Sequence, residues 1–118
     1  MDWKFRGDLP IYSQLIEQIK LAIVSGVFPP GMRLNSVRDM AAEAGVNPNT
    51  LQRALQELER QGLVYSQRTT GRYVTEDIKV IEESKRALAQ GQLAAFLDAM
   101  KKLGYERAEI LALLEEEA

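Results

Sequence analysis

Residues 47–61 (N-P-N-T-L-Q-R-A-L-Q-E-L-E-R-Q) constrain this chain more than any other stretch. Asn47 has the short side-chain oxygen that caps a helix by accepting from a free first-turn amide. Pro48 then falls at the first helical position, where its missing N–H is no loss. Leu51, Ala54, Leu55 and Leu58 follow at the spacing of one apolar helix stripe. Asn49, Gln52, Arg53 and Gln56 repeat that spacing on a second face, and none is a carboxylate. Solvated helix faces ordinarily mix both charge signs. Amides and a guanidinium are the groups that pair with base edges and phosphates, so the stretch reads as a helix that enters a DNA groove.

The flanking residues supply the frame for such a helix. Ile11, Leu15, Ile19, Ala22 and Ile23 mark the buried face of a first helix that stops at Ser25-Gly26, with Pro29-Pro30 beyond. Pro30-Gly31-Met32 reads as a tight turn and Arg33-Leu34 as a very short extended piece. Ser36 caps a second helix, with Asp39 three residues on and Val37, Met40, Ala41 and Ala44 facing inward. Gly45-Val46 leaves a turn of about three residues before the helix at Pro48, which is the helix-turn-helix arrangement. Gly62 closes that third helix. Strand-forming Leu63-Val64-Tyr65-Ser66-Gln67, a tip at residues 68–72 and Tyr73-Val74-Thr75 then make a hairpin. Three helices and a hairpin form a winged helix-turn-helix, covering roughly residues 9–75.

The remainder reads as helix. Thr75 is a candidate cap, with Glu76 and Asp77 favourably placed in the first turn. One long helix is expected from about Asp77 to Leu103, bent near Gly91, and a last one over 106–117. Two helices cannot bury Ile81, Leu88, Leu93, Phe96, Leu97, Met100, Leu111 and Leu114 by themselves, and such surface marks a partner interface. The expected fold is therefore mostly α with a small β-hairpin. A winged helix-turn-helix DNA-binding domain at 1–75 precedes a helical dimerisation region at 76–118.

Composition narrows the function classes. The absence of His and Cys removes imidazole bases, thiolate nucleophiles, disulfides and the usual zinc ligands, so an enzyme would have to work with carboxylates, Lys, Ser, Thr or Tyr alone; with the DNA-binding reading, no metal, cofactor or enzymatic activity is expected. The lack of disulfides fits the cytoplasm. No apolar run approaches the roughly 20 residues of a membrane span, and the N-terminus lacks a signal-peptide core. A net charge of −2 looks unsuited to nucleic acid until it is divided. Basic residues outnumber acidic ones nine to seven through Thr75, whereas after it acidic residues prevail ten to six.

The motifs also carry a family resemblance. Pro10-Ile11-Tyr12-x-Gln14-Leu15, Gly26 and Pro30-Gly31-x-Arg33-Leu34 resemble the opening of the DNA-binding domain of GntR-family bacterial regulators. Ser36-Val37-Arg38, Val46-Asn47-Pro48-Asn49-Thr50, Arg53-Ala54, Glu57-Leu58-Glu59, Gly62-Leu63-Val64-Tyr65 and Gly71-Arg72-Tyr73-Val74 continue the match at the family's spacings. The tail is too short for the large effector domains common in the family and resembles the YtrA subfamily, whose small helical C-terminal region serves dimerisation. There are three departures. Asn35 stands where the family has Pro, and Thr69 where the wing has Gly. Arg72 replaces a small polar residue beside the wing tip.

Helix-turn-helix geometry puts the N-terminal residues of the second helix of the motif against base edges. Asn49, Thr50, Gln52 and Arg53 are the candidate readers. Ser36 and the amides around it suit a phosphate, and the resemblance implies that Arg38 also reaches DNA. Arg68, Gly71 and Arg72 at the wing suit phosphate or minor-groove contact. Competing structural roles stand beside these: Arg53 as partner of Glu57 at i+4, Asn47 as cap rather than reader, Thr50 as support for the helix start. Arg38 could pair with a carboxylate, and Arg72 could be a strand-edge charge. Trp3 and Phe5 read as an arm packed on the first helix or on a partner. Glu82-Glu83 and the acidic run 115–117 read as solvated faces. Phe96, Met100 and Tyr105 could line a small effector pocket but read better as core or interface; an effector is unknown.

The function expected is a homodimeric, sequence-specific DNA-binding transcriptional regulator, a repressor on an inverted-repeat double-stranded operator. The resemblance extends this to a transporter operon. A winged-helix protein-interaction module and a small-ligand sensor are the alternatives.

Overall fold

The computed structural model describes residues 1–117 and contains five helices and one hairpin. They are α1 (Ile11–Val24), α2 (Val37–Ala44), α3 (Pro48–Arg60), β1 (Val64–Gln67), β2 (Gly71–Val74), α4 (Ile78–Lys102) and α5 (Arg107–Glu117). The winged helix-turn-helix expected from the pattern is present. The chain forms two compact units, Met1–Lys85 and Arg86–Ala118, of which the second is described to residue 117.

The core of the first unit is the set of stripes the periodicity marks. Leu15, Ile19 and Ile23 of α1 meet Leu51, Ala54, Leu55 and Leu58 of α3, with Met40 and Ala41 of α2 alongside. Leu63, Val64 and Val74 close this core from the hairpin. Side chains sealed this completely each contribute about 1.5–3 kcal/mol relative to exposure. That burial fixes α3's rotation about its axis and leaves Asn49, Arg53 and Gln56 exposed.

Caps set the angle between α2 and α3. The Ser36 hydroxyl oxygen accepts from the Asp39 N–H at 3.1 Å, and Asn47 Oδ1 accepts from the Asn49 N–H at 2.8 Å. Gly45 takes φ +71°, a left-handed conformation that a Cβ disfavours. With it, the Val46 N–H reaches back to the Ala41 carbonyl at 3.0 Å and the Gly45 N–H to that of Ala42 at 3.3 Å. Two orphan carbonyls are satisfied and the chain turns sharply into α3.

The hairpin pairs Val64 with Val74 and Gln67 with Gly71, and the Tyr65 and Tyr73 rings stack across it at 5.6 Å. Met32 to Leu34 add a third extended edge. The Leu34 N–H donates to the Arg72 carbonyl, and the Val74 N–H to that of Met32, both at 2.9 Å. At the tip the Thr70 N–H donates to the Gln67 carbonyl at 3.2 Å. The positive φ falls on Gly71 (+119°), and among the described residues no non-glycine residue has one, so Thr69 in place of glycine imposes no strain.

The N-terminal arm lies along α1, held by two glutamines one turn apart. Gln14 accepts from the Arg6 N–H at 2.7 Å and donates to the Arg6 and Leu9 carbonyls. Gln18 donates to the Lys4 carbonyl at 2.6 Å. Each side-chain amide thus pairs with backbone as a neighbouring strand would, and Trp3 and Phe5, stacked at 6.1 Å, pack on the core.

One expectation requires correction. Ile81, placed from its spacing in a dimer interface, is 7% exposed and belongs to the core of the first unit, with Val80 packed against it. The first compact unit accordingly runs to Lys85. Thr75 and Asp77 share the start of α4: Thr75 Oγ1 accepts from the Asp77 N–H and Asp77 Oδ1 from the Lys79 N–H, both at 3.0 Å. Gly91 does not interrupt α4.

In the second unit, Ile110 is buried. Leu93, Phe96, Leu111 and Leu114 are 40–55% exposed. They surround an apolar cavity of about 180 Å³ together with Leu97, Ile110 and Arg107. Leu88, Leu97 and Met100 are half-buried.

Candidate nucleic-acid interface

The exposed face of α3 is the centre of the site. Asn47 is engaged as the cap, and the N–H of Thr50, itself half-buried, donates to the Asn47 carbonyl at 3.1 Å. The Arg53 guanidinium lies 4.8 Å from the centroid of the Tyr12 ring on α1. Such a contact limits the rotamers of a long side chain while leaving its N–H groups free. The i+4 pairing of Arg53 with Glu57 does not form. Glu57 instead accepts from Arg60 Nε at 2.6 Å and from Gln61 at 3.3 Å. The Arg60 hydrogen bond holds the Glu57 carboxyl below its ordinary range, and the same bond raises the Arg60 guanidinium.

Arg33, Arg38, Arg53 and Arg68 make no ion pair among the described residues, although each is exposed. Arg38 stands in the first turn of α2, and Arg68 stands at the wing tip. Arg33, Asn35, Ser36, Gly71 and Arg72 line a cleft of about 170 Å³. A Cβ on Gly71 would lie 3.3 Å from Arg33 Nε, so the absence of a side chain there admits the guanidinium. Sequence reasoning left Arg33 and Tyr12 out of the site. Both stood in the quoted motifs, but only folding brings Arg33 to the wing and Tyr12 under Arg53.

Arg72 differs from the expectation of a free charge beside the tip. Its Nε donates to Glu59 Oε1 at 2.6 Å and a terminal nitrogen donates to Gln52 Oε1 at 3.0 Å. The Ser66 hydroxyl donates to the same Glu59 oxygen. Partial burial pushes the Glu59 carboxyl upward, but the hydrogen bonds from Ser66 and Arg72 outweigh this and hold it below its ordinary range. The wing is thereby latched to α3 through side chains.

The family model for bacterial regulatory proteins of the gntR family matches residues 11–74. The chain belongs to the GntR family. The likeness also extends beyond that domain. The chain is 40% identical over 111 residues to the HTH-type transcriptional regulator YhcF of Bacillus subtilis, covering 94% of this chain and 92% of YhcF. It is 36% identical over 98 residues to the HTH-type transcriptional repressor YtrA of the same organism, covering 83% and 71%. Among solved structures, a GntR family transcriptional regulator from Listeria monocytogenes superposes with a TM-score of 0.88 at 38% identity, over 95% of this chain and 98% of that one. The DNA-binding domain of AraR in complex with operator ORX1 superposes with a TM-score of 0.58 at 29% identity, over 64% and 96%. This GntR-family chain is of the YtrA type, in which the winged helix-turn-helix is followed by a short helical segment.

Proposed function

We propose that the chain is a sequence-specific DNA-binding repressor that acts in the cytoplasm as a homodimer on an inverted-repeat operator, without enzymatic activity. The observation that carries this reading is the α3 face itself. Asn49, Arg53 and Gln56 are exposed, Gln52 lies beside them, and Arg53 has no carboxylate partner among the described residues. Asn49, Thr50, Gln52 and Arg53 meet base edges, with Asn47 capping the helix they stand on. Ser36, Arg38 and Arg68 meet the sugar–phosphate backbone, and Gly71 lets Arg33 join them. The AraR domain supports this reading, because its fold is similar and it is bound to an operator. The name of YtrA supports repression, and the resemblance to its subfamily supports a transporter operon as the target.

Dimerisation is assigned to the apolar face formed by Leu93, Phe96, Leu97, Leu111 and Leu114, together with Leu88 and Met100 on the same helix as the first three. Side chains of this size left half exposed on a two-helix unit are what a second copy would cover. A two-fold dimer then sets half-sites about one helical turn apart.

The test is titration of the purified protein against DNA selected from a random pool, followed by fluorescence anisotropy. Affinity should fall by roughly 10³–10⁵ between 50 and 200 mM salt if 6–10 phosphates are contacted. Arg53→Ala should weaken operator binding by on the order of tenfold or more, with the thermal unfolding midpoint lowered by only a few degrees, because the side chain is outside the core and gives up its Tyr12 contact alone. Equal affinity of the variant and the parent would remove Arg53 from the interface.

A further inference from the structure

The Arg72–Gln52 hydrogen bond fixes more than the position of the wing. A guanidinium has donors only, so the atom of the Gln52 amide that faces it is the oxygen. The amide's two ends are thus distinguished by chemistry. Arg72 in turn is held by Glu59, and their side chains are only 18% and 29% exposed. Gln52's nitrogen makes no hydrogen bond among the described residues, and it is not sealed from solvent. It is therefore the free end of the amide, on the helix that carries Asn49 and Arg53.

We propose that Arg72, anchored by Glu59, is a positioning residue that presents Gln52 to DNA as a hydrogen-bond donor. The base opposite Gln52 then carries a keto oxygen, guanine O6 or thymine O4, rather than an amino group. The inference rests on the DNA-binding reading and deepens it. An unrestrained glutamine pairs with adenine through both ends, its oxygen accepting from N6 and its nitrogen donating to N7. With one lone pair of the oxygen taken by Arg72 and the amide plane fixed, the nitrogen leads: guanine offers it two adjacent acceptors, O6 and N7, and thymine offers O4, whereas adenine offers N7 alone and sets its amino group, like that of cytosine, donor to donor against the amide. A desolvated donor without an acceptor is penalised. A keto oxygen at the same place accepts.

The experiment is selection of bound sequences from a random duplex pool with the full chain and three variants. The parent should show guanine or thymine at one position that Gln52→Ala makes indifferent. Arg72→Met should move that position to adenine by on the order of tenfold. The double variant Glu59→Gln/Arg72→Met, which leaves no stranded carboxylate, should shift it in the same way even if the single variant folds poorly. A merely structural Arg72 would lower affinity for all sequences without changing the preferred base. Specific binding with an unaltered preference in the Arg72 variants overturns the proposal alone, as does a Gln52→Ala variant that retains every preference. Failure of the parent to select any sequence overturns the DNA-binding reading, and the proposal with it.

Discussion

At the scale of single residues, Asn47 and Gly45 matter for where α3 begins, and neither needs to touch a ligand to do so. Asn47 Oδ1 satisfies an N–H that would otherwise be unpaired, so Asn47→Ala should lower stability by about 0.5–2 kcal/mol. Gly45→Ala forces a Cβ into a left-handed conformation and should lower it by about 1–2 kcal/mol. Urea titration monitored by circular dichroism reads both effects as a lower midpoint at unchanged slope. A stable Gly45→Ala variant would show that the turn between α2 and α3 can be made another way. Both residues were legible before folding, because capping and positive φ are local demands. Arg53 was legible as a polar position, but its ring partner was not: Tyr12 is 41 positions away in the chain and only the α1–α3 packing joins them.

At the scale of elements, the latch between α3 and the wing has a pH signature. Because the Glu59 carboxyl is held below its ordinary value of 4.5, the folded state favours the ionised form. Its contribution to stability is complete above that ordinary value and declines as pH falls through the lowered one. Arg72→Met removes one of the two donors that depress it, so the variant should lose less stability than the parent on going from neutral to acid. Urea midpoints measured across that range check this, and parallel curves for the two proteins would mean the pair has no influence on folding. The hairpin was expected from strand propensity and the Gly71 tip. Its third edge at Met32 to Leu34 was visible only as a short extended piece, since pairing with β2 is decided by distant residues. Arg72 was read as a wing charge for the same reason. The charge is in the sequence, but its direction is set by Glu59 and Gln52 on another element.

At the scale of the whole molecule, the partition of the chain follows burial more closely than it follows the hairpin's end. Val80 and Ile81 complete the first unit, so a chain ending at Thr75 should be less stable than one ending at Lys85 by about 1.5–3 kcal/mol, the value of one buried Ile. Denaturant unfolding of the two truncations decides the point; equal midpoints would make Ile81 dispensable. Dimerisation belongs to this scale too. Leu93→Asp combined with Leu111→Asp, which places charge on the exposed apolar face, should give a monomer by sedimentation velocity and weaken operator binding. A dimer that survives both substitutions would place the interface elsewhere.

The apolar periodicities, the caps, the glycine positions and the motif spacings by themselves determined the winged helix-turn-helix and the face of α3 turned outward. These are short-range properties, governed by the turn of a helix, the pleat of a strand and the φ of one residue. Tertiary structure alone decided which polar side chains remain free. It joined Arg72 to Glu59 and Gln52, set Arg53 over Tyr12, brought Arg33 to Gly71 and drew Ile81 into the core. Each of these pairings joins residues far apart in the chain, and their relative position exists only once the core between them has closed.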